Sequence, residues 1–301
     1  MDNITPLDSR RDSLKETVLN NPGIELSIEW LRNIRINKSA VERRASTIQT
    51  RRSIKKEWQA AWLLKAITFL DLTTLSGDDA PSKVERLCMK GKNPVRQDIL
   101  EKLNFHERIT VGAICVYHSM IETAINSLKN TNIPIAAVSA GFPAGLSPLE
   151  TRMREIELSL ASGAKEIDIV INRSFVLTGN WDALYNEVKM FKKICGKSKL
   201  KTIIATGDLS TLRNVARASL VCMMAGSDFI KTSTGKETVN ATLPVSLVMV
   251  RCIREYYEKT GFKVGFKAAG GISTAKESLA YLTLIKEELG NHWLDQNLFR
   301  I

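Results

Sequence analysis

Histidine and cysteine are scarce in this chain of 301 residues, and neither is spaced as in a metal site. The three histidines, His106, His118 and His292, are far apart and form no H-x-x-x-H pair. The five cysteines are odd in number, contain no C-x-x-C pair and lie mostly in apolar segments. We therefore expect reduced thiols, and no metal centre.

Long apolar runs and two common catalytic motifs are also missing. Runs such as 60–64 and 243–250 are much shorter than the roughly 20 residues that a membrane-spanning helix needs. Residues 1–11 mix acids and bases and lack the apolar core of a secretory signal, so we expect a cytosolic protein without membrane contacts. No G-x-S-x-G elbow occurs, and no G-x-G-x-x-G follows the first predicted strand. These absences disfavour a serine hydrolase and a dinucleotide cofactor, and we expect no cofactor at all.

The chain is strongly basic, with 43 Lys and Arg against 32 Asp and Glu and a net charge of +11. Its densest basic run is Arg51-Arg-Ser-Ile-Lys-Lys56. This run could contact a polyanion, but it holds no aromatic residue for base stacking and matches no known nucleic-acid-binding module. We interpret it as a solvated helix face and do not expect nucleic-acid binding.

From residue 66 onward, short apolar runs alternate with longer segments of helical period, which is typical of a parallel sheet built from βα units. Eight runs are strand candidates: 67–70, 111–116, 133–139, 166–171, 201–205, 228–231, 264–267 and 298–301. Helices are predicted between them at 120–129, 149–162, 181–195, 211–224, 245–259 and 274–289. Eight parallel strands predict a (β/α)₈ TIM barrel, whose interior is filled by side chains.

The first 65 residues contain no convincing strand. Helical patterns at 27–35, 40–49 and 55–65 predict helices packed outside the barrel. We therefore divide the chain into an N-terminal helical extension, 1–65, and an α/β barrel, 66–301.

Polar residues at strand ends are the first candidates for catalysis, because active sites of such barrels lie there. Lys231 ends a predicted strand, and its amine can attack a carbonyl group only when it is neutral. Burial and a nearby cation both lower the pKa of an amine, and Lys267 ends the next strand, about 5 Å away. Asp168, in an otherwise apolar strand, could move protons. Each lysine could instead extend to solvent, and Asp168 could be only an ion-pair partner; together they favour amine catalysis.

Two loops have the composition of a phosphate site. Thr234-Gly235-Lys236 offers a hydroxyl, a backbone N–H and a cation, and Gly270-Gly271 precedes Ser273, a plausible helix cap. Gly207, which follows Thr206, could line the same pocket. Any one of these glycines could equally be a turn residue.

Longer strings carry a family resemblance. They are Lys55-Lys-Glu-Trp-Gln-Ala-Ala-Trp62, Asp71-Leu-Thr-Thr-Leu-Ser-Gly-Asp-Asp79, Gly141-Phe-Pro-Ala-Gly145, Ile169-Val-Ile-Asn-Arg-Ser174 and Phe229-Ile-Lys-Thr-Ser-Thr-Gly-Lys-Glu-Thr-Val-Asn-Ala241. In these strings the chain, from about Leu26 to Ile301, resembles animal-type deoxyribose-phosphate aldolases. The resemblance implies a metal-free class I aldolase that reversibly cleaves 2-deoxy-D-ribose 5-phosphate to D-glyceraldehyde 3-phosphate and acetaldehyde in deoxyribonucleotide catabolism.

The same resemblance implies roles for individual residues. Lys231 forms the Schiff base, and Asp168 and Lys267 handle protons. Three further positions match the substrate pocket of the family: Asp71, Thr73 and Cys115. A homodimer is also implied.

The chain departs from the family pattern at four places. Ala268 and His118 stand where proline is usual, and Ser273 stands where arginine is frequent. Family members also continue beyond Ile301 into a Gly-Ala-Ser segment and a final helix. We therefore expect an incomplete C-terminal end, with weaker phosphate affinity and lower stability. Two alternatives are a catalytically impaired homologue that acts as a binding or scaffold protein, and a class I aldolase for another sugar phosphate.

Overall fold

The computed structural model describes residues 20–51 and 56–301, and its centre is a ring of eight parallel strands. The strands pair in chain order, each with the next. They are β1 (Asp71–Thr73), β2 (Ala113–Tyr117), β3 (Ile135–Ser139), β4 (Glu166–Val170), β5 (Lys199–Ile203), β6 (Phe229–Lys231), β7 (Gly265–Lys267) and β8 (Phe299–Arg300). The predicted TIM barrel is confirmed.

Two backbone hydrogen bonds join the last strand to the first. Ile301 N donates to Phe69 O at 2.8 Å, and Asp71 N donates to Ile301 O at 2.8 Å. Ala268 N donates to Arg300 O at 3.1 Å on the other side of β8, a bond that a proline at this position could not make. β8 is therefore held between β7 and β1 although it is only two residues long.

The first strand lies later in the chain than the sequence pattern predicts. The apolar run 67–70 ends a helix and forms a turn, in which Phe69 N donates to Ala66 O at 3.0 Å. Phe69 is fully buried against Phe299, with ring centroids 5.2 Å apart, so the run owes its apolar character to packing at the barrel end. The strand itself begins at Asp71, which the sequence pattern places in the following loop.

Helices surround the barrel and alternate with its strands. They are α1 (Ile28–Asn33), α2 (Lys38–Arg51), α3 (Lys56–Ile67), α4 (Pro81–Lys92), α5 (Gln97–Lys102), α6 (Ile121–Ser127), α7 (Leu149–Ala161), α8 (Arg173–Leu177), α9 (Trp181–Cys195), α10 (Leu212–Met224), α11 (Leu243–Thr260) and α12 (Ala275–Leu289). The sequence pattern did not predict α4, α5 and α8. None of the helices in the described ranges is long and apolar enough to cross a membrane.

The N-terminal helices pack on the outside of the barrel, with α2 against α11 and α12 and α3 against α12. Arg44 of α2 forms ion pairs with Glu287 at 2.5 Å and with Glu288 at 3.2 Å. Glu288 also pairs with Arg251 of α11 at 3.1 Å. The boundary predicted at residue 65 falls inside α3 (Lys56–Ile67). The division of the chain into an extension and a barrel stays a prediction. The basic run at 51–56 lies largely outside the described residues.

A buried asparagine fastens the start of the described chain to the barrel. The side-chain amide of Asn21, 1% exposed, donates to Met223 O at 2.8 Å and to Ser227 O at 2.9 Å. Its Oδ1 accepts from Gly23 N and from the Tyr256 hydroxyl, both at 3.1 Å. One side chain therefore satisfies four polar groups, two of them at the turn between α10 and β6.

Replacing Asn21 with alanine is expected to lower the free energy of unfolding by about 2–4 kcal/mol, because it leaves several buried polar groups without partners. The matched control is Asn20→Ala, whose amide donates to Lys197 O at 2.9 Å in a solvent-exposed hydrogen bond. We expect that variant to lose less than about 1 kcal/mol. Guanidinium unfolding curves measure both, and equal losses would contradict the role given to Asn21.

Candidate active site

Lys231 and Lys267 are the last residues of β6 and β7 and are register partners in the sheet. Asp168 lies in the middle of β4, where it pairs with Lys201 of β5. Since neighbouring parallel strands align their side chains face by face, these four side chains enter the barrel interior together.

The interior of the barrel holds a group of charged side chains that we call the charged cluster. Its members are each at most 7% exposed. They are Asp71, Glu166, Asp168, Lys201, Lys231, Lys267 and Arg300. At the centre, Asp168 Oδ2 accepts from Lys231 Nζ at 2.9 Å and from Lys267 Nζ at 3.1 Å, while its Oδ1 accepts from Lys201 Nζ at 3.0 Å. One carboxylate therefore contacts three lysines.

Asp71 and Arg300 extend the charged cluster toward the first and last strands. Asp71 accepts from Lys267 Nζ and from an Arg300 guanidinium nitrogen, both at 2.5 Å. The other amino group of Arg300 donates to Glu166 at 2.9 Å, and Glu166 also pairs with Lys201. Lys201 Nζ also lies 3.6 Å from Asp71, so the charge of the aspartate that begins β1 has three buried cationic partners.

Burial and neighbouring charges give the basic groups opposite pKa shifts. Burial lowers the pKa of Lys231; the nearby Asp168 carboxylate opposes this shift and the charge of Lys267 adds to it. Burial also disfavours the charged forms of Lys201 and Lys267, but Asp168 and the other carboxylates outweigh it and raise both pKa values. Lys267 therefore contributes to a neutral Lys231, although burial is the larger cause.

The charge count of the cluster agrees with these shifts. Three carboxylates face four basic side chains, so the group is electrically balanced when one base is neutral. Burial would raise the pKa of Asp168, but Lys201, Lys231 and Lys267 hold it well below its ordinary range. Lys231 is the member of the four whose pKa is lowered, which makes it the base most easily left neutral.

Lys201, Glu166 and Arg300 belong to this cluster but were not predicted as site residues. A signal was present for two of them. Glu166 and Asp168 are two residues apart on β4 and therefore share its inward face, and Lys201 pairs with Asp168 in the register. Arg300 gave no local signal, because its partners lie 229 and 134 residues away.

A cavity of about 370 Å³ opens at the strand ends next to the two lysines. Most of the predicted site residues line it. They are Asp71, Thr73, Lys231, Thr234, Gly235, Lys236, Lys267, Gly270 and Gly271. The remaining lining is mainly apolar and includes Leu72, Leu75 and Ile272. The arrangement joins a buried amine, a carboxylate beneath it and two glycine loops.

Five predicted site residues do not line this cavity. Asp168 is fully buried beneath the lysines, and Cys115, also fully buried, has a thiol whose pKa is raised by burial. Thr206 is buried beside Gly207, where an added Cβ would lie 2.3 Å from Val239 O. Ser273 is exposed, and its N–H donates at 2.9 Å to Glu277 in the capping arrangement of α12. The loop after β5 and Ser273 therefore do not provide direct cavity contacts here.

The loop that begins with Thr234-Gly235-Lys236 and extends to Ala241 packs against the loop that contains Gly270 and Gly271. Gly270 and Gly271 have φ values of +78° and +80°, which glycine adopts without strain. An added Cβ on Gly270 would lie 2.6 Å from the Asn240 side chain, so the loops are in close contact. Ala241 N also donates to Ala269 O at 3.3 Å. Within the described residues, no three His, Cys, Asp or Glu side chains are grouped as metal ligands would be.

The family model described as "DeoC/LacD family aldolase" matches residues 65–284. The chain belongs to this aldolase family. It is 60% identical over 284 residues to human deoxyribose-phosphate aldolase, covering 93% of this chain and 89% of the human one. The mouse deoxyribose-phosphate aldolase is 61% identical over 282 residues, with the same shares covered. The resemblance inferred from the motifs is therefore confirmed.

Solved structures support the same fold. A deoxyribose phosphate aldolase from Aeropyrum pernix, described as a tetramer, superposes on this aldolase with a TM-score of 0.57. It is 21% identical, and the match covers 74% of this chain and 84% of that one.

Proposed function

We propose that this protein is a class I aldolase that cleaves 2-deoxy-D-ribose 5-phosphate to D-glyceraldehyde 3-phosphate and acetaldehyde. The observation that carries the proposal is the buried Lys231 amine, whose pKa is lowered and which lies 2.9 Å from Asp168 at the base of a cavity. Its human and mouse relatives bear the name of this activity. They favour it over the scaffold alternative, which none of them supports.

In the proposed reaction, neutral Lys231 attacks the C1 aldehyde of the open-chain sugar and forms a carbinolamine, which loses water to give an iminium ion. The C3 hydroxyl then loses its proton, the C2–C3 bond breaks, and its electron pair moves into the iminium to give an enamine. Glyceraldehyde 3-phosphate leaves. Protonation of the enamine at C2 and hydrolysis release acetaldehyde and restore Lys231.

Asp168 and Lys267 are the proposed proton carriers for these steps. Asp168 already contacts both lysine nitrogens, so a proton can pass between carbinolamine oxygen, carboxylate and Lys267 over short distances, directly or through water. The phosphate group is assigned to Lys236 and to the backbone around Gly235, Gly270 and Gly271, which line the same cavity. A homodimer and a cytosolic location remain predictions.

The activity is tested by incubating the purified protein with 2-deoxy-D-ribose 5-phosphate and assaying both products. We expect acetaldehyde and glyceraldehyde 3-phosphate in equal amounts, and much slower turnover of unphosphorylated 2-deoxyribose. If neither product forms, the proposal fails. Faster turnover of a different sugar phosphate would favour the alternative aldolase.

Gly270→Ala is expected to raise KM for the phosphorylated substrate by about tenfold or more, with a smaller effect on kcat, since the new methyl group would collide with Asn240. The matched control is Gly261→Ala: its φ is +74°, but no atom lies within 4 Å of the added Cβ. Both variants strain the backbone, and only the first disturbs the cavity. Steady-state kinetics with equal KM in both variants would argue against this phosphate site.

A further inference from the structure

Glu237 lies directly after the cavity-lining segment Thr234-Gly235-Lys236. Its two carboxylate oxygens accept from Thr234 N at 2.9 and 3.1 Å. Lys236 N donates to Thr234 Oγ1 at 3.0 Å. The N–H groups of Thr234 and Lys236 therefore already have acceptors within the same loop, and the acceptor for Thr234 N is the carboxylate of Glu237.

The charge of Glu237 is not neutralised by an ion pair with any lysine or arginine of the described ranges. A carboxylate oxygen and a phosphate oxygen are the same kind of acceptor for a backbone N–H. A phosphate approaching Gly235 and Lys236 therefore meets a like charge close by, and the Thr234 donor is already in use.

Helix capping does not account for this contact. On the neighbouring loop, Glu277 accepts from Ser273 N and Thr274 N, but there it completes the capping box of α12. Glu237 precedes α11 by several residues, and that helix starts at Leu243 with Thr242 at its N-cap. The carboxylate of Glu237 binds a loop N–H that belongs to no helix.

Glu237 is also connected to the second glycine loop. Asn240 Nδ2 donates to Glu237 O at 3.1 Å, and the Asn240 side chain packs on Gly270. Residue 237 is therefore linked through Asn240 to the second loop that lines the cavity.

We propose that Glu237 is an internal competitor for the substrate's phosphate group. Its carboxylate occupies the Thr234 N–H before substrate binds, and the phosphate must displace it or bind against its charge. Glu237 thereby sets the affinity for phosphorylated substrates without touching the reacting atoms. This inference rests on the proposed function, because it assumes that the cavity accepts a sugar phosphate.

The test is the Glu237→Gln variant, which keeps an acceptor oxygen for Thr234 N and removes the charge. We expect KM for 2-deoxy-D-ribose 5-phosphate and the inhibition constant of inorganic phosphate each to fall about threefold to tenfold. The kcat value and the turnover of unphosphorylated 2-deoxyribose should not change. Glu258→Gln, at an exposed position of α11, is the control and should leave all four quantities unchanged.

A purely structural role of Glu237 in supporting the loop predicts a different result from the competitor role. If Glu237 only supports the loop, Glu237→Gln leaves KM unchanged or raises it, and that result overturns the proposal. Glu237→Asp keeps the charge but shortens the side chain, so the competitor role predicts no gain in affinity for this variant. If the unmodified protein fails to cleave the substrate, the proposed function fails. Calorimetric titration then still compares the affinity of the Gln variant and of the parent for inorganic phosphate, and tighter binding by the variant supports the competitor role.

Discussion

Methionine in place of Lys231 is expected to lower kcat/KM by at least about 10⁴-fold, because the variant has no amine at the position proposed to form the Schiff base. Stopped or coupled assays of glyceraldehyde 3-phosphate release measure the loss. Lys193→Met, at an exposed position of α9, is the control and should retain full activity. Residual activity within tenfold of the parent would show that a different amine carries the reaction.

The same variant also tests the neutral state of Lys231. If Lys231 is neutral, its removal leaves three carboxylates and three cations in the charged cluster, and the free energy of unfolding should change by only about 1 kcal/mol. A much larger loss of stability would indicate that Lys231 is a charged member of the cluster.

Lys267→Met is expected to reduce kcat/KM at neutral pH by about 10²-fold or more and to move the rising limb of the pH profile to higher pH. The pKa of Lys231 lies below its ordinary value of 10.5, and kcat/KM rises with pH as this amine loses its proton. Removing Lys267 takes away a cation that lowers this pKa and leaves Asp168 with one partner fewer. The pKa of Lys231 therefore rises, and less of the amine is neutral at any given pH.

Lys267→Arg is the matched variant, because it keeps the positive charge. Its rising limb should stay closer to that of the parent, even if proton transfer is slower. Kinetics from pH 5 to pH 10 separate the two variants, and an unshifted limb in Lys267→Met would contradict the electrostatic role of Lys267.

Lys267→Met is expected to lose more stability than Lys231→Met. Lys267 has a raised pKa in the folded protein, so its contribution to stability is fully present below its ordinary pKa and is lost only as the pH rises through the folded value. Lys267→Met leaves Asp71 and Asp168 short of a buried cation and should cost about 3–5 kcal/mol of unfolding free energy between pH 6 and 8. Urea unfolding at these pH values measures the difference.

The sequence predicts the positions of the two lysines better than the contacts that surround them. Lys231 and Lys267 each follow short apolar runs, and the alternation of strands and helices places them at adjacent strand ends, as the structure has them. Seven strand candidates overlap the observed strands. The first does not, because the apolar run 67–70 resembles a strand but serves as the packed end of α3.

Contacts across the barrel could not be predicted from local pattern. Arg300 joins the cluster through Asp71 and Glu166, which come from the first and fourth strands. Such pairs depend on closure of the ring and not on spacing along the chain. Ser273 is predicted as a pocket residue and a helix cap, but the N-cap of α12 is Thr274, and Ser273 is exposed with its N–H bound to Glu277.

Reduction of the protein by borohydride in the presence of acetaldehyde, followed by peptide mass spectrometry, tests the central claim most directly. A neutral Lys231 at the cavity base predicts one reduced ethyl adduct, on Lys231, and none on Lys201 or Lys267. An adduct on either of those lysines instead, or no adduct under conditions in which the protein cleaves its substrate, would contradict the account.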